Sequence, residues 1–164
     1  MTQQTISSTG HTGFPTVSDR ILERVGAWLS RYSIDALRIS LGIVFLGFGI
    51  LKFFPGVSPA QDLAIRTVET MSFGIVTGMG ALFVTAFMEC FIGVTLVTGR
   101  MLRTGLAVLA TALVGILSPL VLFFGELFPG SPTLEAQYVL KDIVLASGGL
   151  VVGAKALGAR LTRT

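Results

Sequence analysis

The sequence is short of charge, and shorter still of the side chains that most often carry metal and redox chemistry. Of 164 residues, 13% are charged, against about a quarter in a typical soluble domain. Hydrophobic residues make up 52% and the mean hydropathy is +0.81, so the polar surface needed to cover a water-soluble globule is missing. The lone cysteine, Cys90, excludes an internal disulfide, a CxxC redox pair and an all-cysteine metal site. The lone histidine, His11, excludes a bis-histidine haem or a His-rich metal centre built from this chain alone. The net charge of +3 and pI near 9.5 do not point to nucleic acid. The basic residues flank apolar runs instead of forming a stripe, which suits membrane anchors. No internal repeat is visible.

What is present is a set of apolar segments long enough to cross a bilayer. Residues 1–17 are rich in Ser, Thr, Gln and Gly and have no apolar core, so a flexible polar tail is expected there, not a signal peptide. In "DRILERVGAWLSRY", Ile21, Leu22, Val25, Trp28, Leu29 and Tyr32 recur at helical spacing between charged residues. That pattern predicts an amphipathic interfacial helix with Trp28 at headgroup level, a soluble partner helix being the alternative. Four segments follow, at about 36–54, 73–98, 104–124 and 137–157. Each has roughly the 20 residues a hydrocarbon core requires. Pro119 cannot donate to the carbonyl of Gly115, which predicts a kink in the third. The expected architecture is therefore all-α: a polytopic four-transmembrane-helix bundle occupying residues 18–164 as one domain, with the N-terminal amphipathic helix attached.

Orientation follows from counting basic residues. With the N-terminus cytoplasmic, nine of the twelve Lys and Arg lie on the inner side: Arg20, Arg24, Arg31, Arg38, Arg100, Arg103, Lys155, Arg160 and Arg163. Lys52, Arg66 and Lys141 lie outside. The positive-inside rule thus predicts both termini in the cytoplasm. Small residues suggest where helices approach closely: a GxxxG pair at Gly149 and Gly153, another at Gly74 and Gly78, and Gly42, Gly47 and Gly49 along the first segment.

Ionisable residues inside a bilayer are functional candidates because each is costly unless paired or hydrated. Four qualify: Lys52, Glu89, Lys141 and Asp142. At ~1.5 Å per residue, Lys52 and Asp142 fall at similar depth on the outer side, with Glu89 deeper. Lys52 is then expected to meet Asp142 or to snorkel to the interface among the phenylalanines. Glu89 would need a hydroxyl, a water or its own proton. Lys141 points about 100° away from Asp142 around the helix, toward the headgroups. Cys90 reads as a small buried apolar residue.

The blocks "RISLGIVFLGFGILKFFPG", "MECFIGVTLVTGR", "ILSPLVLFF" and "YVLKDIVLASGG" occur in the order found in the YkgB-like inner-membrane proteins. From about residue 34 to residue 157 the chain resembles these proteins and the wider DoxX-like group of four-helix membrane proteins. The resemblance implies that Lys52, Glu89, Lys141 and Asp142 matter, because they fall on the shared blocks. The first outer loop looks short beside the YkgB-like pattern. Family properties imply a bacterial inner-membrane protein linked to oxidative stress or to quinone-linked oxidoreductases. Three functions are expected to compete: a non-catalytic accessory or anchoring subunit, a quinone-binding subunit, and a small proton-linked transporter using Glu89. No cofactor is expected on this chain alone, though a quinone or lipid would suit the bundle. The expected partners are the lipid bilayer and other membrane subunits or a second copy of the chain.

Overall fold

Apolar helices with few breakers account for nearly all of the computed structural model, which describes residues 17–159. The bulk of the expected tail, with His11, and the basic residues Arg160 and Arg163 lie outside the described residues. The elements are α1 (Val17–Leu51), α2 (Gln61–Met71), α3 (Gly78–Thr98), α4 (Leu102–Leu117), α5 (Pro119–Leu122), α6 (Phe124–Leu127) and α7 (Leu134–Ala156). Three stretches are long and apolar enough to span a membrane: α1, α3, and Leu102–Leu122 across α4 and α5. Large apolar side chains stand on the outside, with Val121 83% and Leu150 75% exposed. Water would not tolerate so much bare apolar surface, whereas lipid tails would cover it.

The chain divides into two units, Met1–Ser33 and Ile34–Thr164. In the first, Ile21, Leu22, Val25, Trp28, Leu29 and Tyr32 are all exposed. Trp28 and Tyr32 have ring centroids 5.6 Å apart, and the Arg31 guanidinium lies 5.5 Å from the centre of the Tyr32 ring. The expected separation of an interfacial helix from the first span is not observed. Residues 33–35, Ser-Ile-Asp, contain no glycine or proline, and α1 runs through them without interruption.

The second unit is built on close approach between the later part of α1 and α3. A Cβ on Gly93 would lie 2.6 Å from the backbone nitrogen of Leu46, and one on Gly42 would lie 2.8 Å from that of Val97. Only glycine lets the two backbones come this near. Arg38 secures the end of the contact where α3 terminates. Its Nη1 donates to the carbonyls of Leu96 and Val97 at the C-terminus of α3, where the helix dipole favours a cation. Leu41, Phe45, Ile92, Leu96, Leu109 and Val152 form the buried core, with α4 packed between α3 and α7.

Several boundaries differ from expectation. The second span begins at Gly78, not near 73, because Phe73 and Gly74 take left-handed backbone angles (φ 53° and 77°) and turn the chain. Gly74 therefore belongs to a turn while Gly78 opens α3, and the pair forms no packing face; nothing lies within 4 Å of a Cβ placed on either. Gly149 does face a neighbour, since a Cβ placed on it would lie 3.1 Å from Leu109 Cδ2, while one on Gly153 would meet nothing within 4 Å. The first loop, expected to be short, carries α2. The third segment breaks where Pro119 was expected to bend it: α4 ends at Leu117 and α5 starts at Pro119. Ser118 Oγ donates to the Gly115 carbonyl at 2.7 Å, supplying the bond that proline cannot. The fourth segment is α7, whose first turn is capped by Thr133 Oγ1 accepting from the Ala136 nitrogen at 3.2 Å.

Candidate functional site

Lys52 sits just beyond the last residue of α1. There the chain leaves the helix in successive tight turns (Lys52 N to Gly49 O, 3.2 Å; Phe53 N to Ile50 O, 3.1 Å). These turns direct the side chain inward, and its Nζ donates to Glu89 Oε2 at 2.7 Å. The two side chains are only 8% and 7% exposed, so this is a buried ion pair. The Lys52 ammonium also lies 5.9 Å from the centre of the Phe48 ring.

This pairing corrects the expected one. Lys52 neither snorkels nor meets Asp142, and Asp142 makes no hydrogen bond or ion pair among the described residues. The reason is the start of α3. Moving it from residue 73 to Gly78 brings Glu89 five residues nearer the N-terminal end of that helix, or about 7.5 Å. That distance is what had separated Glu89 from Lys52 in depth. Lys141 is exposed, with its ammonium 4.2 Å from the centre of the Tyr138 ring. It stays outside the pair, as its position around the helix predicts. Cys90 is half-buried and packs against Gly49, a space-filling role.

Lys52, Glu89 and Asp142 share the wall of one cavity of about 380 Å3. The rest of the lining is mainly apolar and comes from six helices: Phe48 of α1, Leu63 of α2, Met88 of α3, Gly115 of α4, Pro119 of α5 and Tyr138 of α7 are representative. Three of the four ionisable candidates therefore converge, and Lys141 does not. Among the described residues no group of three His, Cys, Asp or Glu side chains could hold a metal ion.

The element that closes this cavity was not read from the sequence. In "QDLAIRTVETM" the residues Leu63, Ala64, Thr67, Val68 and Met71 recur at helical spacing, and all five face the cavity from α2. The segment is too short and too polar to register as a span, and that is why it passed for a loop. Three polar contacts tie it down. Gln61 Oε1 accepts from Gly56 N at 2.8 Å, and Glu69 Oε1 accepts from Gly78 N at 2.8 Å at the start of α3. Arg66 forms a two-pronged bond to Glu126 of α6, Nη1 to Oε2 at 2.8 Å and Nη2 to Oε1 at 2.9 Å. Its guanidinium also stacks 4.6 Å from the centre of the Phe123 ring. These hydrogen bonds hold the Glu126 carboxyl below, and the Arg66 guanidinium above, their ordinary pKa values.

No family model, curated protein or solved structure matches the chain, so the functional reading rests on this geometry.

Two outcomes are expected. Lys52→Met or Glu89→Leu alone strands a buried charge and should lower stability in detergent by roughly 3–5 kcal/mol, with the double variant recovering part of the loss. Thermal melts of the four proteins check this, and strictly additive losses would show that the two residues are not coupled. The second outcome concerns the exposed Arg66–Glu126 clasp, which contributes little to stability. An acid with a depressed pKa contributes stability above its unfolded pKa and loses it as pH falls through the folded one. The clasp should thus persist through the ordinary carboxylate range and open only in more acidic solution. In an NMR titration the Glu126 midpoint should lie below the ordinary glutamate value and return to it in Arg66→Gln. An unchanged midpoint in that variant would rule out the clasp as the cause.

Proposed function

We propose that the chain is a non-catalytic, four-span membrane subunit that holds a small lipid-soluble molecule in the cavity beside Lys52 and Glu89. One observation carries this reading: an apolar chamber of about 380 Å3 opens within the bundle against a buried ion pair. Its size and chemistry fit the usual small-molecule pocket, apolar walls with a few placed polar groups. The fourth span is α7, whose 23 residues measure about 35 Å.

The resemblance to YkgB-like and DoxX-like proteins supports a place as an accessory or anchoring subunit in a redox or oxidative-stress-response complex of the bacterial inner membrane. It also makes a quinone one candidate occupant, with any electron transfer supplied by a partner subunit. Proton-linked transport through Glu89 is the weaker reading, because the carboxylate is already held by Lys52 at 2.7 Å. The nine-to-three distribution of basic residues supports cytoplasmic termini. In a Cys90→Ala background, Ser131→Cys should react with an impermeant thiol reagent in intact cells and Leu102→Cys only after lysis; the reverse pattern would invert the orientation.

The cavity itself is tested by filling it. A Cβ on Gly115 has only Met71 Sδ, at 4.0 Å, near it, so Gly115→Phe projects a ring into the chamber without striking backbone. Mass spectrometry of organic extracts should find a lipid-soluble molecule that co-purifies with the wild-type protein and is lost from this variant. Equal occupancy in both proteins would remove the cavity as the binding site.

A further inference from the structure

The cavity wall carries unequal charge. Lys52 and Glu89 satisfy each other at 2.7 Å, which leaves Asp142 as the ionisable group on the wall with no hydrogen bond or ion pair of its own, Lys52 and Lys141 acting on it only from a distance. The surroundings of Asp142 can be taken helix by helix. The end of α1 presents Lys52, already engaged, and α3 presents Glu89, a like charge. On α7 itself Tyr138 lines the cavity, while Lys141 does not line it and stacks on the Tyr138 ring. The polar lining from α2 and α4 consists of hydroxyls, Thr67 and Thr111. Arg66, the one cation of α2, is bound to Glu126 and lies off the cavity wall. No neighbouring helix therefore brings Asp142 a free cation.

A carboxylate in apolar surroundings needs either a proton or a positive partner. We propose that the cavity takes a small lipophilic cation, an organic ammonium or phosphonium whose charge pairs with Asp142 and whose apolar body lies along Phe45, Phe48 and Tyr138. A neutral quinone would leave the Asp142 carboxylate unpaired, and an anion would meet two carboxylates. Proton and cation compete for the same oxygens, so a protonated Asp142 gives its proton to solvent as the cation binds. This assignment of ligand class rests on the cavity reading above.

The test uses the full chain in detergent and tetraphenylphosphonium as the probe, with Gly115→Phe as the measure of background partitioning. Saturable binding above that background is expected, weakening as the pH is lowered. Asp142→Asn should reduce affinity roughly thirtyfold or more, the loss typical of removing one partner from a buried charge pair. Asp142→Glu should retain most of it, and a short-chain ubiquinone should fail to displace the probe. Should Asp142→Asn not fold, the pH dependence of the wild type and the behaviour of Asp142→Glu decide. Binding that ignores both pH and the Asp142→Asn change overturns the cation assignment, as does displacement by the quinone. Absence of probe binding overturns it too. If the extracted molecule is still lost in Gly115→Phe, the cavity reading survives that failure; if it is not, both fall together.

Discussion

A lysine ammonium and a glutamate carboxylate 2.7 Å apart, each side chain more than nine-tenths buried, impose the condition that organises the second unit. Either charge alone would be expensive in an apolar bundle, and the pair is tolerable only when held at contact. Contact requires the end of α1 and the middle of α3 to lie unusually close. Gly42, Gly49 and Gly93 supply that approach: a Cβ on any of them would fall within 3.0 Å of the facing helix. It also requires α1 to stop. Another turn of helix after Leu51 would carry the lysine around the axis, whereas the observed tight turns leave it facing Glu89.

The pair in turn needs cover, and α2 provides it. An 11-residue helix cannot cross a bilayer, but an amphipathic one can lie with its apolar face over a polar site. Leu63, Ala64 and Val68 close the chamber, while Asp62 and Arg66 face outward. The joints at both ends are left-handed, Ala60 (φ 51°) on one side and Phe73 (φ 53°) on the other. Side chains other than glycine adopt such angles at a cost. The apolar face of α2 against the chamber and the Glu69 cap on α3 hold it against that strain.

Much of this was legible in the sequence where the signal was local. Long apolar runs announced the three helices long and apolar enough to span a membrane, Pro119 announced the interruption between α4 and α5, and cost in lipid singled out Lys52, Glu89 and Asp142, which do converge. What failed was depth. The run of small and apolar residues from 73 to 77 reads as helix by hydropathy, yet Gly74 turns it. Five residues at that point sufficed to exchange the partner of Lys52. The amphipathic pattern of α2 was present but short, and a search for spans overlooks helices that lie beside them. Likewise, Gly149 and Gly153 share a motif while only one meets a facing side chain; spacing indicates which faces are smooth and leaves open what lies opposite.

The chamber is produced by this arrangement and is not a fault in it. A bundle that needed only stability would place larger side chains where Ala64, Thr67, Thr111, Ala112 and Gly115 now face one another across α2 and α4. Unfilled volume forfeits dispersion contacts, and the buried pair adds a further desolvation cost. Both are concentrated at one place, where small residues from two helices meet three ionisable side chains from elsewhere in the fold. Packing alone supplies no reason for that coincidence, since apolar side chains of the right volume would satisfy it better. Occupation by a cation of the proposed class would fill that space, pair with Asp142 and offset both costs at once.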